Sequence, residues 1–471
     1  HRGEVHLDEG PRTAWLSAWR KRLNRRALAL VADALAPRGA WSSSGPPGGA
    51  GRAPWCMPGI FSAARWLMSS ALRALRTLLL LPLAMALSSL RLAPTAQTGT
   101  APMLRLGIVS DVQYADTEDA TNFVGNRVRR YRHSLAVLAN AVRFFDELGN
   151  VAVAVQLGDM LDGKANEGGK ASSRAALKDV RDVLVEGRLG RTAGGWRSCV
   201  GNHELYNFDR WELAAEDLYF EGNPQENVQR ILEERAACEE AAAPGRPSFD
   251  AEDVSPPLYY STKPKPGWRL VFLDSYAESI IGDARGAWGR DASARRLNKQ
   301  NPNIDIEDPT KSFDWTRGLE GDRLRWVPYN GALGTTQLAW LATELAEAKA
   351  AAERVIIFCH QPFFIGATRN NNLPWDYEEL QGVVAAEPDV VAVVFAGHDH
   401  DGGYGVDAGG VHHLVPAAPL ECAEGEMAYG YLDCYLDRLE MHWVGKVPNK
   451  GAEWPEVLPL APLPLQGAAR L

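Results

Sequence analysis

Residues 390–404 read VVAVVFAGHDHDGGY. The first seven, Val390 to Ala396, form an unbroken apolar run, which is how a strand buried on both faces of a sheet reads. The run stops at Gly397 and releases His398, Asp399 and His400 in succession. Alternate residues of an extended backbone project to one side, so the two imidazoles can reach one point. Neutral imidazole is a common ligand of divalent metals. Two histidines on a surface loop would read the same way in isolation. The rest of the chain decides, because four more strand-like runs also stop at ligand-type residues.

Residues 104–110 (LRLGIVS) lead to Asp111 and Gln113, and residues 151–157 (VAVAVQL) lead to Gly158-Asp159. Residues 196–200 run into Gly201-Asn202-His203-Glu204, and residues 354–359 into His360-Gln361-Pro362. Helical stretches are expected at 121–148, where Val128, Leu135, Leu138, Val142 and Phe145 recur at roughly helical spacing, and at 170–186, 210–220, 226–243, 335–353 and 377–387. Further strands are expected at 258–261, 269–274, 411–415, 427–436 and 438–444, the last two as a hairpin. Residues 282–330 are polar with little periodicity and read as a substrate-facing insertion. Strands alternating with helices, then more strands, predict an α/β (α+β) fold of sheets sandwiched by helices. Open α/β sheets place their sites at the carboxyl ends of strands, where these residues gather.

The chain has 471 residues, 50 basic against 59 acidic, for a net charge of −9. A large α/β domain plus an extension accounts for that length. There is no basic footprint, so binding to nucleic acid is not expected. The six cysteines are scattered, and Cys199 and Cys359 fall in apolar runs as reduced, buried thiols. Residues 1–102 read as a low-complexity or targeting extension, largely disordered. The first residue is His1, and Met57 and Met68 are candidate starts. The apolar run Leu78 to Leu87 follows arginines and is short for a membrane span, so it reads as a signal or transit peptide. Residues 103–447 read as the folded domain and 448–471 as a Pro-rich tail.

Asp111, Gln113, Asp159, Asn202, His360, His398 and His400 are side chains that a divalent metal accepts through oxygen or imidazole nitrogen. Two cations sharing a carboxylate can bridge a hydroxide and clamp the attacking and leaving oxygens of a phosphoryl transfer. These blocks, in this order, resemble those of the calcineurin-like metallophosphoesterases. More narrowly, SDVQYAD (110–116), RRYRHSL (129–135), GNHELYNF (201–208), NGALGTTQLAWL (330–341) and GHDHDGGY (397–404) resemble the manganese-dependent ADP-ribose/CDP-alcohol diphosphatases. That resemblance implies a four-layer αββα sandwich over about 103–447. It also implies that Asp111, Gln113, Asp159 and His400 bind one ion, and Asp159, Asn202, His360 and His398 the other. Many relatives carry His where Gln113 stands. An amide oxygen is harder than imidazole, which favours Mn²⁺ or Mg²⁺ over Zn²⁺, with Fe a further candidate. Protein serine/threonine phosphatases continue with Asp-Arg-Gly where Asp162 here precedes Gly163-Lys164, and purple acid phosphatases place a Tyr where Met160-Leu161 stand.

His203 is the candidate catalytic residue, as an imidazolium that protonates the leaving oxygen. Orienting Asn202 is its alternative role. Arg129, Arg130 and Arg132 are candidates for the diphosphate, since Arg matches phosphate oxygens bidentately; a solvated helix face reads equally well. Tyr206, Phe208, Trp375 and Tyr377 could stack on a base or pack in the core, and His412 or His413 could support the metals. The leading function is hydrolysis of the diphosphate bond of ADP-ribose and CDP-alcohols of the CDP-choline type. Alternatives are a phosphodiesterase acting on cyclic nucleotides or lipid head groups, and a scaffold with a degraded site, against which the complete donor set argues. Partners are expected to be small nucleotide-diphosphate substrates, with no obligate protein partner and a monomeric chain. The resemblance implies a cytoplasmic location, whereas the N-terminal segment points to organellar or secretory targeting.

Overall fold

In chain order the elements are β1 (Leu104–Val109), β2 (Ala120–Thr121), β3 (Val128–Arg129), α1 (Tyr131–Leu148), β4 (Val153–Gln156), α2 (Lys170–Glu186), β5 (Trp196–Ser198), α3 (Asn202–Asn207), α4 (Arg210–Ala214), β6 (Tyr260–Lys265), β7 (Trp268–Leu273), α5 (Ala287–Gln300), α6 (Gly334–Ala351), β8 (Arg354–Cys359), α7 (Tyr377–Ala385), β9 (Val391–Ala396), β10 (Gly403–Val406), β11 (His412–Val415), β12 (Ala428–Cys434), β13 (Arg438–Gly445) and β14 (Val457–Pro459). The computed structural model describes residues 101–122, 125–216, 256–282, 287–305, 314–448 and 451–463. The expected extension up to residue 100, its apolar run, the end of the 210–220 helix and the helix at 226–243 lie outside the described residues. Among the described residues no helix is long and apolar enough to cross a membrane.

The strands make two six-stranded sheets, in the orders β14-β13-β12-β1-β4-β5 and β10-β11-β9-β8-β7-β6. The central strands β1, β4 and β5 run parallel, as do β7, β8, β9 and β11. Period-2 alternation assigns their faces. Leu106, Ile108 and Val155 of the first sheet meet Leu270, Phe272, Ile356, Phe358 and Phe395 of the second in one buried cluster. Phe272, Phe358 and Phe395 stack across it with ring centroids 5.0 and 5.9 Å apart. Val109 and Ala154 face the other way, onto Leu138, Val142 and Phe145 of α1 and Leu177 and Val180 of α2. Val271, Leu273 and Ile357 likewise face Leu341 and Leu345 of α6 and Leu380 and Val384 of α7. Helix, sheet, sheet and helix thus stack in the αββα order.

Three expectations are corrected. The helix expected from residue 121 starts at Tyr131, because the Asn122 side chain accepts the backbone N–H groups of Asn126 (3.0 Å) and Arg127 (3.2 Å) and closes the β2–β3 hairpin. Asn side chains offer the backbone this alternative to a helix. The insertion contains α5, whose described buried apolar residues are only Ala294 and Leu297, too few to register as a stripe. Part of the expected tail, β14, pairs with β13 and buries Leu458.

Candidate dimetal centre

Strands β1, β4, β5, β8 and β9 all deliver their carboxyl ends to one place, and the loops there bend sharply. Asp111, Gln113, Asp159 and His398 have positive φ angles of 43°, 46°, 57° and 67°. Among the described residues Ala352 is the one other non-glycine with positive φ. Such backbone costs on the order of 1–3 kcal/mol per residue and persists where surrounding structure holds it, as at functional sites. The motif glycines make the convergence possible. A side chain at Gly158 would collide with the His360 ring, and one at Gly201 with the Asp159 carboxylate. Glu204 then pins the loops together, its carboxylate accepting N–H groups from Asp159 (2.7 Å), Met160 (2.5 Å) and Gly201 (2.8 Å).

Each imidazole is held so that one ring nitrogen faces the cluster. His360 Nδ1 lies 2.8 Å from the Leu157 carbonyl, leaving Nε2 at 3.2 Å from Asn202 Oδ1 and 3.3 Å from Asp159 Oδ2. His398 Nε2 lies 3.1 Å from Asn330 Oδ1, while Asn330 Nδ2 donates to the Arg325, Asn371 and Leu373 carbonyls and so fixes that amide. Nδ1 of His398 is left for the cluster. His400 Nδ1 lies 3.3 Å from Glu421 Oε1, and its Nε2 lies 2.8 Å from Gln113 Nε2 and 3.7 Å from Asp111 Oδ1. A carboxylate or carbonyl on the far nitrogen is how proteins orient a metal-ligating histidine. Tyr276 donates its hydroxyl to Asn202 Oδ1 at 3.2 Å.

The donor chemistry fits divalent cations. Asp159, His360 and His398 each offer a ligand atom within 4.8 Å of the others. Gln113 Oε1 is buried and takes no hydrogen bond, so its oxygen is uncommitted. Asp111 and Asp159 are fully buried, and among the described residues their charged partners are histidines. Burial pushes the Asp111 carboxyl up. Burial pulls the His360 ring down, yet Asp159 and Asp111 outweigh it and carry that ring up to about 9. The site calls for positive charge and presents oxygen and imidazole donors without thiolate, a set suited to Mn²⁺ and its neighbours.

Residues 104–402 match the model of a family described as calcineurin-like phosphoesterase. The chain belongs to the calcineurin-like phosphoesterase family. Among similar proteins is one from Arabidopsis thaliana, 34% identical over 340 residues, covering 72% of this chain and 94% of the relative. A human relative is 31% identical over 349 residues, covering 74% and 92%. Both bear the name manganese-dependent ADP-ribose/CDP-alcohol diphosphatase. A similar solved structure is a dimetal phosphatase from Danio rerio, 28% identical with a TM-score of 0.63, covering 76% of this chain and 100% of that one.

In this phosphoesterase His203 stands beside the donors. Its backbone N–H donates to Asp159 Oδ1 at 2.8 Å, and its Nε2 is 4.0 Å from Asp159 Oδ2. Two groups compete for its Nδ1, the Gly163 N–H at 2.9 Å and Asp162 Oδ2 at 3.2 Å. A bare Nδ1 accepts from Gly163, whereas a protonated one donates to Asp162 Oδ2, which otherwise lacks a hydrogen-bond partner. Burial pulls the ring down, but Asp159 and Asp162 together raise it. Asp162 therefore holds the ring and favours its charged form.

The phosphoesterase site opens into a cavity of about 360 Å³. Gln113, Asp159, Asn202, His203, His398 and His400 form its floor. Of the three arginines singled out in the sequence, Arg129 lines it, with Nη1 4.0 Å from Asp162 Oδ2. Arg130 instead lines a separate cavity with Arg127 and Lys446, and Arg132 points to solvent, paired with Asp116 (2.6 Å) and Glu118 (2.5 Å). They part company because Arg129 ends β3 whereas Arg132 lies in the first turn of α1. Tyr206 lines the cavity, while Phe208, Trp375 and Tyr377 are buried in apolar clusters. His412 and His413 sit inside β11 and bond Tyr404 (3.0 Å) and Asp407 (3.1 Å), away from the donors. Arg127, Arg369, Trp315, Tyr329 and Glu421 also line the cavity, and no periodicity or motif spacing marks them.

Proposed function

We propose that this phosphoesterase hydrolyses the diphosphate bond of ADP-ribose and of CDP-alcohols of the CDP-choline type, with two manganese ions as cofactors. The observation that carries the reading is the convergence of oxygen and imidazole donors at one end of the sheets, with Gln113, Asp159, Asn202, His398 and His400 on the floor of an open, arginine-lined cavity and His360 grouped with Asp159 and His398. The names of the relatives supply the substrates and the metal. Asp111, Gln113, Asp159 and His400 hold one ion, and Asp159, Asn202, His360 and His398 hold the other. When bound, such ions supply Lewis acidity to the phosphoryl oxygens and lower the pKa of the attacking water.

The chain's own residues do the rest. Asp162 orients His203, whose Nε2 proton passes to the oxygen that leaves as the P–O–P bond breaks. Water adds to one phosphorus, so ADP-ribose gives AMP and ribose 5-phosphate, and a CDP-alcohol gives CMP and a phosphoalcohol. The phosphoryl oxygens are common to every such ester, so the floor does not discriminate among them, and both substrate types are cleaved. Every donor comes from one chain, so the site needs no second subunit to be complete. The test is a panel of ADP-ribose, CDP-choline and 3′,5′-cyclic AMP with Mn²⁺ present. Turnover of the first two supports the reading, and turnover of the cyclic nucleotide alone overturns it.

A further inference from the structure

Residues 398–401 alternate two histidines with two aspartates, and the aspartates have their own partners. Asp399 is fully buried, and its Oδ2 accepts from Thr368 Oγ1 (2.9 Å) and the Arg369 backbone N–H (3.1 Å). The Arg369 guanidinium reaches Asp399 Oδ1 at 2.5 Å and Asp401 Oδ2 at 3.0 Å, both through Nη2. Asp401 also pairs with Arg127, whose Nη1 donates to Glu421 Oε2 at 2.9 Å. Two guanidinium groups from loops distant in sequence therefore sit one carboxylate apart. Both arginines line the cavity, and Asp399 and Asp401 do not.

We propose that Arg127 and Arg369 form the subsite for the second phosphoryl group of a diphosphate substrate, the group that the metal ligands do not hold. This subsite rests on the function proposed above. Stability accounts for only part of the arrangement. The Arg369 guanidinium, 50% exposed, neutralises the fully buried Asp399, whereas its further pair with the part-exposed Asp401 contributes little. Its contacts nevertheless fix the guanidinium plane, at a cost in rotamer freedom. Its Nη1 has no partner among the described residues. Nε also donates to Asp399 Oδ2 at 3.3 Å, so the guanidinium is held rigidly with its Nη1 donors left over, pre-organised to donate to a phosphoryl oxygen. The buried Asp399 acts as the anchor. Because Glu421 also holds His400, Arg127 ties the subsite to a donor ring directly, whereas Arg369 contacts no donor side chain and meets their loop only through Asp399 and Asp401.

Arg369 is therefore the residue to test, in the full chain with Mn²⁺. KM and kcat would be measured for ADP-ribose, CDP-choline and bis(4-nitrophenyl) phosphate, an ester with a single phosphorus. In Arg369→Ala, KM for both diphosphates rises about tenfold or more, as loss of a charged hydrogen bond implies, and this rise exceeds that for the aryl ester several-fold. Arg369→Lys, which keeps the charge without the fork, falls between the two. Equal losses on all three esters, or unchanged KM for the diphosphates, overturn the subsite. If Arg369→Ala does not fold, the KM of Arg369→Lys for ADP-ribose decides, a rise supporting the clamp and an unchanged value overturning it. A wild-type enzyme that cleaves the aryl ester but neither diphosphate fails the proposed function instead, so the two failures are told apart.

Discussion

The floor of the cavity and its rim are built differently. On the floor, Gln113, Asp159, Asn202 and His400 are all buried, as are the donors Asp111 and His360, and each follows from the exit of a core strand. On the rim, Arg127, Arg129, Trp315, Tyr329 and Arg369 come from a hairpin and from loops with little apolar content. The sheets hold the floor rigid through the packed clusters beneath it. The rim is held by polar contacts, such as Asn371 Nδ2 donating to the Tyr329 hydroxyl at 2.9 Å. A rigid floor suits chemistry that every substrate shares, and a polar rim suits choosing among substrates.

The comparison breaks if a floor residue proves dispensable. Asp159→Asn removes the carboxylate assigned to both ions, and its loss of activity should exceed the roughly 100-fold typical of changes to groups that only orient ligands. Circular dichroism should show the fold intact, and metal analysis should show less bound manganese. Activity above about a tenth of wild type, set against that same scale, would remove Asp159 from the shared position. His203→Ala is next. Its kcat should fall about 10²–10⁴-fold, the usual scale of general acid–base help, with manganese content unchanged. Loss of a metal equivalent would make His203 a ligand instead. Glu421→Gln should weaken manganese binding about 10–100-fold, read by titration calorimetry. Burial pushes the Glu421 carboxyl up, yet His400 and Arg127 hold it down at about 2, so it is a carboxylate throughout the working range.

The floor was legible in the sequence because three independent patterns coincide there. An apolar run marks each strand, a glycine marks most of the sharp exits, and a ligand-type residue follows. His412 and His413 show the value of the exit, since they lie within β11 and turn to Tyr404 and Asp407. Glu421 and Asn330 were not legible as His400 and His398 supports, because neither follows a strand exit of its own. Each becomes visible only once the chain brings it to a ring nitrogen, 21 and 68 residues away in sequence. Trp315 and Tyr329 lie in the insertion read as substrate-facing, but neither they nor Arg369 could be singled out, as a loop carries no periodicity to predict where its side chains point. The start of α1 was misplaced because the Asn122 turn leaves only a local polar signal inside an otherwise helical pattern.

The smallest expected effect is the sharpest test of where the rim begins. Arg129 and Arg132 are three residues apart, and both match phosphate chemistry equally well in sequence. In the fold Arg129 lines the cavity with a buried Nε that has no hydrogen-bond partner, whereas Arg132 is exposed and occupied by Asp116 and Glu118. Loss of a charged hydrogen bond to a phosphoryl group costs about tenfold in affinity. Arg129→Ala should therefore raise KM for ADP-ribose and CDP-choline together by about that factor, with kcat little changed. Arg132→Ala should leave KM, kcat and Tm where they are, because solvent already screens its ion pairs. Steady-state kinetics on the two variants with both substrates makes the comparison. If Arg132→Ala shifts KM as much as Arg129→Ala does, substrate reaches beyond the hairpin to the first turn of α1, and the rim is wider than the cavity drawn here.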